Sequence, residues 1–111
     1  MSHLTTHILD TSRGRPAAGV AVVLEQIDED HRTEIARGIT DPDGRIGELG
    51  PERLGTGIYR LSFAVGDYFS SLDQECFYPA VQVTFRVDEN EAHYHVPLLL
   101  NPFGYSTYRG S

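Results

Sequence analysis

Two pairs of histidines are the residues whose type and spacing could do chemistry. His3 and His7 lie in the opening segment MSHLTTHILD, and His93 and His95 lie in HYHVPLLL. An imidazole changes charge near neutral pH, so it can take a proton from water or bind a metal ion through a neutral nitrogen. On a β-strand, residues two apart share one face. The spacing therefore predicts polar sheet faces that carry histidines from two strands.

These histidines also allow other interpretations, one of them chemical and the others purely structural. A His-x-His pair on a strand is a zinc-ligand spacing, so a zinc hydrolase that uses His93 and His95 is one alternative. Polar residues on a wet sheet face, with no chemistry, are the ordinary case for any one histidine taken alone. His31 lies in an acidic hairpin tip, where we expect a solvated turn residue. We expect His3 to lie close to a frayed chain end.

Strands must position these residues, because the apolar pattern along the chain has a period of two. In VQVTFRV, residues 81–87, apolar and polar side chains alternate, and DPDG at 41–44 has the composition of a tight turn. A short helix is predicted within 67–75. Strands are predicted near residues 3–11, 20–28, 32–40, 45–49, 57–65, 81–87, 93–100 and 105–109. About eight strands at this spacing predict an all-β sandwich.

Composition limits the class of protein. The 111 residues include 9 Lys+Arg and 16 Asp+Glu, and the difference, 9 − 16, gives a net charge of −7. We expect no nucleic-acid partner, since phosphate binding needs a basic face, and no membrane span, since no apolar run reaches ~18 residues. The N-terminus lacks the layout of a signal peptide. The single cysteine, Cys76, is typical of a reducing compartment, so we expect a cytoplasmic protein with one domain over residues 1–111.

Arg45 and the C-terminus complete the unusual features. Arg45 follows the DPDG turn directly, and its planar guanidinium would suit an anionic or carbonyl-bearing ligand. The chain ends in YSTYRGS, whose alternation predicts a last strand that runs almost to Ser111.

Four segments together carry a family resemblance: LTTHILD followed by GRPA, DGR around Arg45, HYHVPLLL, and the terminal YSTYRGS. From residue 4 to residue 111 the sequence resembles the transthyretin-related 5-hydroxyisourate hydrolase family. Asn101 and Phe103 stand where Ser and Tyr are more usual in that family. The resemblance implies a transthyretin-like (prealbumin-like) sandwich of two antiparallel sheets. It also implies ring opening of 5-hydroxyisourate, the product of urate oxidation, to 2-oxo-4-hydroxy-4-carboxy-5-ureidoimidazoline in purine catabolism.

The resemblance also implies a set of site residues. The catalytic residues would be His7, Arg45, His95 and Ser111, and the substrate would be bound by His7, Arg45, Tyr108 and Arg109. One imidazole would take the proton of the attacking water and the other would orient that water, with the roles left open. No metal or organic cofactor is implied. The family resemblance implies a homotetramer with its sites at the subunit interface.

A carrier is the second functional hypothesis. Transthyretin proper shares the fold and the YST stretch, so a non-catalytic carrier of small aromatic ligands could use the same channel. The polar set of His7, Arg45, His95 and residues 108–111 favours the enzyme, because a hydrophobic carrier channel does not call for imidazoles and a guanidinium.

Overall fold

The computed structural model describes residues 2–111, which form two β-sheets. The first sheet holds β1 (Leu4–Asp10), β2 (Arg15–Pro16), β5 (Arg45–Ile46), β8 (Tyr94–Asn101) and β9 (Gly104–Thr107). The second sheet holds β3 (Ala21–Ile27), β4 (Arg32–Ile39), β6 (Gly57–Phe63) and β7 (Val81–Val87). One helix, α1 (Val65–Ser71), follows β6 in the described residues. Within residues 2–111 no helix has the length and apolar character needed to cross a bilayer.

The order of the strands brings the two ends of the chain together. The first sheet runs β2-β1-β8-β9, with β5 also paired to β1, and the second runs β4-β3-β6-β7. β1 and β8 are parallel, and the other pairs are antiparallel. The predicted two-sheet sandwich is confirmed, with this parallel pair as a difference. A long connection that includes the whole second sheet separates β1 from β8, so no hairpin constrains their relative direction.

Alternation along the strands builds the core between the sheets. In β1 the even-numbered residues, from Leu4 to Asp10, are buried and the odd-numbered residues are half-buried. Burying an aliphatic side chain of this kind contributes about 1.5–3 kcal/mol, so the register of β1 is strongly specified. The other buried core side chains include Val22, Leu24, Leu61, Phe63, Val96, Leu98 and Leu100.

A buried carboxylate joins the helix to the first sheet. Asp10, at the end of β1, is fully buried and accepts hydrogen bonds from the Tyr68 hydroxyl at 2.8 Å and the Ser12 hydroxyl at 2.6 Å. The backbone N–H groups of Ser12 and Arg13 also donate to it, at 3.1 and 3.2 Å. Burial and the bond to Asp10 raise the pKa of the Tyr68 phenol. These four donors satisfy a carboxylate that would otherwise be costly to bury.

Several predicted boundaries differ from the structure. The short helix predicted within 67–75 begins earlier, at Val65, and ends at Ser71, and Asp73 has a left-handed φ of 54° just beyond it. A residue with that φ cannot continue a helix. The strand predicted over 45–49 is limited to Arg45–Ile46. Arg15–Pro16, outside the predicted strands, pairs with the end of β1 and makes nine strands in residues 2–111.

The prediction for His3 is wrong. Its side chain is 1% exposed, and its ring packs edge-on against Tyr94 with centroids 5.5 Å apart. Nδ1 accepts the backbone N–H of Leu54 at 2.9 Å, so Nε2 donates to the carbonyl of Glu91, 2.6 Å away. Both ring nitrogens are therefore used to hold two loops against the start of β1.

Gly44 supplies the first testable prediction. Its φ is +76°, and a Cβ there would overlap the carbonyl oxygen of Ile8 and lie 3.0 Å from Cβ of Pro16. We expect Gly44→Ala to lower the free energy of unfolding by about 2 kcal/mol or more, through left-handed strain and this overlap. Gly47→Ala is the matched control, because nothing lies within 4 Å of its added Cβ. Urea unfolding measures both, and equal stability of the two variants would contradict this account of the turn.

Candidate active site

The outer face of the first sheet, turned away from the core, collects candidate side chains from three strands. His7 of β1 lies opposite Arg45 of β5 in the register of the two strands. On the other side of β1, β8 places His95 opposite Thr5. The alternation that buries Thr6 leaves its two neighbours, Thr5 and His7, half-buried on this outer face. The sheet therefore brings His7, Arg45 and His95 into one neighbourhood.

A tight turn delivers Arg45 to this face. The Asp41 carboxylate accepts the backbone N–H groups of Asp43 and Arg45, both at 2.9 Å. The Asp41 carbonyl accepts the N–H of Gly44 at 2.8 Å, and the Gly44 carbonyl accepts the N–H of Ile8 at 2.7 Å. The DPDG segment thus fixes the backbone of Arg45 beside β1 while its side chain stays exposed.

A threonine hydroxyl lies between two of the histidines. Oγ1 of Thr5 is 2.8 Å from Nδ1 of His95 and 3.0 Å from Nε2 of His93. His93 lies immediately before β8, one strand repeat from His95, and is half-buried. The structure therefore joins His93 to His95 through one hydroxyl group.

The surroundings of His95 favour its neutral form. Burial lowers the pKa of the His95 imidazole, and electrostatic repulsion between charged His95 and the nearby His7, His93 and Arg45 side chains lowers it further. A neutral imidazole is the form that can accept a proton. Geometry and electrostatics therefore suit His95 to act as a base near neutral pH.

The C-terminus packs against His95. The Gly110 N–H donates to the His95 carbonyl at 2.7 Å in an isolated bridge beyond β9. A Cβ on Gly110 would lie 2.6 Å from Cδ2 of the His95 ring. Only glycine allows the terminal backbone to approach the imidazole this closely. Ser111 follows directly and is exposed.

Tyr108 and Arg109 lie elsewhere in the single chain. Cζ of Arg109 is 4.6 Å from the centroid of the Tyr94 ring, and its guanidinium is 3.7 Å from the Glu91 carboxylate. Tyr94 and His95 are successive residues of β8, so they point to opposite faces of the sheet. Both Tyr108 and Arg109 line a cavity of about 430 Å³ bounded by Val83, Phe85 and Val96. The single chain therefore separates these two side chains from the imidazoles.

Sequence reasoning assigned no role to Thr5, and it included Gly110 only as part of the terminal residues 108–111. The period-two pattern did place Thr5 on the same face as His7. The missing information was the parallel register of β1 and β8, which sets Thr5 beside His95 and which no local motif encodes. The approach of Gly110 to the His95 ring is likewise a contact between segments remote from any turn signal.

Within residues 2–111 no group of three or more His, Cys, Asp or Glu side chains is arranged to share a metal ion. A catalytic zinc site uses three protein ligands. The zinc alternative built on His93 and His95 therefore lacks a third ligand in this part of the chain.

Residues 4–110 match the model of the HIUase/Transthyretin family. The chain belongs to this family. A 5-hydroxyisourate hydrolase of Salmonella dublin is 50% identical over 109 residues, covering 97% of this chain and 80% of that protein. The structure of Klebsiella pneumoniae 5-hydroxyisourate hydrolase superposes with a TM-score of 0.88 at 38% identity, covering 99% of this chain and 100% of the other.

A transthyretin has a fold of the same shape. Sea bream transthyretin, solved in complex with thyroxine, superposes with a TM-score of 0.92 at 34% identity, covering 97% of this chain and 94% of that one. Backbone shape alone therefore does not separate enzyme from carrier within the family. The side chains on the outer face of the first sheet must make that distinction.

The lowered pKa of His95 gives the second prediction. We expect its imidazole to titrate below the ordinary value of about 6.5. We expect Arg45→Gln to raise that pKa, because one of the nearby positive charges is removed. Arg15→Gln is the matched control, since Arg15 lies in β2 and is no cause of the shift. Nitrogen-15 NMR of the imidazoles measures the His95 pKa in the unaltered protein and in both variants. An unchanged or lower His95 pKa in Arg45→Gln would contradict the electrostatic explanation.

Proposed function

We propose that this chain hydrolyses 5-hydroxyisourate, using water to open the six-membered ring. The observation that carries the proposal is the pairing of His7 with Arg45 and of Thr5 with His95 on one sheet face. The relatives from Salmonella dublin and Klebsiella pneumoniae that bear this enzyme's name support it at 50% and 38% identity.

His95 is the proposed general base. Its Nδ1 contacts Thr5, so Nε2 is the nitrogen we assign to the attacking water. As the water oxygen bonds to the ring carbonyl carbon, Nε2 takes one proton and the carbonyl oxygen becomes an oxyanion. The carbon–nitrogen bond then breaks and the proton passes to the leaving nitrogen. The product gains one water in total, and the enzyme returns to its starting state.

Arg45 and His7 complete the proposed chemistry. The exposed Arg45 guanidinium would bind the ring oxygens in a bidentate manner and stabilise the developing oxyanion. His7, opposite Arg45, would orient the water. In a chain of net charge −7, these neutral and cationic groups form a local site that suits an electron-rich substrate.

The C-terminus is proposed to finish the site. Gly110 bridges to His95, which brings Ser111 to the same strand region, where its hydroxyl would join the proton network. Tyr108 and Arg109 would bind substrate through an assembly of subunits, since in one chain they line a separate cavity.

Self-association as a homotetramer is part of the proposal. β7 and β9 are edge strands of their sheets, and the cavity beside Tyr94 lies between them. Aromatic side chains near this edge are exposed, with Phe77 70% and Phe103 66% exposed. Edge strands and apolar surface of this kind favour pairing with another copy. We place the sites at the subunit interface, where a neighbour would cover the open imidazole face.

We further propose a cytoplasmic enzyme that works without a metal or organic cofactor. The one cysteine, Cys76, is a free thiol, which suits a reducing compartment. The hydrolysis as written needs only side chains and water. Stoichiometric zinc in the purified protein, with turnover lost to a chelator, would overturn the cofactor part of the proposal.

Substrate generated in place by urate oxidase tests the activity. We expect ultraviolet absorbance of 5-hydroxyisourate to decay faster with the protein than without it. His7→Ala, Arg45→Ala and His95→Ala should each lower kcat/KM by roughly 10²-fold or more, through loss of acid–base or oxyanion groups.

His31→Ala is the matched control, because His31 lies in the exposed tip between β3 and β4, and its activity should be unchanged. Decay at the spontaneous rate with the unaltered protein would reject the enzyme. Tight binding of aromatic ligands without turnover would instead favour the carrier.

The terminus supplies a further prediction. Gly110→Ala should displace the His95 ring and lower kcat/KM by at least about tenfold while the fold is kept. Gly104→Ala is the matched control, since its added Cβ meets only the Asn101 side chain, at 3.7 Å.

Removing Ser111 or adding a C-terminal tag should also impair activity. Full activity in Gly110→Ala or in the tagged protein would contradict the role given to the terminus.

Sedimentation equilibrium tests the assembly. We expect a particle of four times the 12.4 kDa chain mass. Phe77→Glu should shift the distribution towards smaller species, because a charge is placed in the exposed aromatic surface. His31→Glu, on an exposed turn, is the control. An active monomer would contradict both the tetramer and the interfacial placement of the site.

A further inference from the structure

Thr5, His93 and His95 form an uninterrupted hydrogen-bonded set on the outer sheet face. The parallel pairing of β1 with β8 holds Thr5 opposite His95, and His93 lies two residues before His95, just outside β8. Oγ1 of Thr5 lies 2.8 Å from Nδ1 of His95 and 3.0 Å from Nε2 of His93. Both distances are in the range of good hydrogen bonds.

The hydroxyl couples the protonation of the two rings. A threonine hydroxyl has one hydrogen to donate and lone pairs with which to accept. If it donates to His95, it must accept from His93, and if it donates to His93, it must accept from His95. The two neutral imidazoles therefore cannot choose their tautomers independently while both hydrogen bonds are kept.

Only one of these arrangements leaves His95 able to act on water. When Nδ1 of His95 donates to Thr5, and the Thr5 hydroxyl donates to Nε2 of His93, Nε2 of His95 carries a bare lone pair. In the opposite arrangement Nε2 of His95 already holds a proton and cannot be a base. A charged His95 would strengthen the first arrangement, because an imidazolium N–H is the better donor.

We propose that Thr5 and His93 are positioning residues that hold His95 in the tautomer with a bare Nε2 and share the proton it takes up. This inference rests on the proposed function, since it assigns His95 the role of base. As His95 gains a proton at Nε2, its Nδ1 proton moves to Oγ1 of Thr5 and the hydroxyl proton moves to Nε2 of His93. One positive charge thereby passes from His95 to His93, and no other bond changes.

The surroundings suit such a transfer. Three cationic or titratable groups act on His95, namely His7 in β1, Arg45 in β5 and His93 itself, and a charge on His95 is repelled by His7 and Arg45. His93 lines a cavity of about 510 Å³ together with Thr5 and the acidic Glu52. The strand register places His93 further along β8 from Arg45 than His95 is, so a charge moved to His93 is less strongly repelled by the guanidinium.

Paired substitutions at Thr5 test the relay. Thr5→Val keeps the shape of the side chain and removes the hydroxyl, and Thr5→Ser keeps the hydroxyl. Nitrogen-15 NMR of the free protein should show His95 protonated at Nδ1 in the unaltered protein and in Thr5→Ser. In Thr5→Val we expect a mixture of tautomers and a changed His95 titration. An identical tautomer in all three proteins would overturn the proposal.

Steady-state kinetics provides a second measurement, which should not change if Thr5 and His93 only support the fold. We expect Thr5→Val to lower kcat by about tenfold, to leave KM little changed, and to displace the acidic limb of the pH profile, with recovery in Thr5→Ser. His93→Leu should reproduce the Thr5→Val result, and it tests the relay if Thr5→Val does not fold. Wild-type kcat and pH profile in His93→Leu would overturn the proposal.

The NMR measurement needs no substrate, so the proposed hydrolysis and the proposed relay can be rejected independently of each other. The expected tautomers without any hydrolysis would reject the proposed function and retain the hydrogen-bonded coupling. Hydrolysis with unchanged tautomers and unchanged pH profiles in the variants would reject the relay alone.

Discussion

The parallel pairing of β1 with β8 is the constraint on which the candidate site depends. It joins the first strand of the chain to the last long one, and its register sets Thr5 opposite His95. Side chains on a strand alternate, so the buried even-numbered residues of β1 fix the odd-numbered ones outward. A shift of one residue would send Thr5 and His7 into the core and Ile8 to the surface. Core packing therefore holds the geometry of the site, although no site residue belongs to the core.

Electrostatics sets the chemical character of this face. Burial and the nearby positive charges lower the pKa of His95, so the folded chain holds this imidazole neutral at a pH where an unfolded one is protonated. Stability from this group is therefore lost as the pH falls below about 6.5, since the unfolded state then binds more protons. A neutral imidazole beside a guanidinium suits the proposed opening of a cyclic amide, and the loss of stability in acid accompanies the lowered pKa.

Local sequence patterns predicted much of this architecture, but contacts between segments distant in sequence could not be predicted from them. The period-two alternation and the DPDG turn predicted the sandwich and the placement of Arg45 at the start of a strand. The same alternation predicted that His7 lies on a polar face. The burial of His3 depends on loops around residues 54 and 91, and no short-range signal indicates them. The parallel register, the approach of Gly110 to His95 and the hydroxyl bridge at Thr5 also join distant segments, so only the folded chain reveals them.

The most direct test of the account is a crystal structure of the assembled protein with a hydrolysis-resistant purine analogue. We expect the analogue to bind on the outer face of the first sheet. A ring oxygen should lie within hydrogen-bond distance of the Arg45 guanidinium, and a carbonyl carbon should face Nε2 of His95. An analogue bound in the cavity beside Tyr94, with the imidazoles uninvolved, would contradict it.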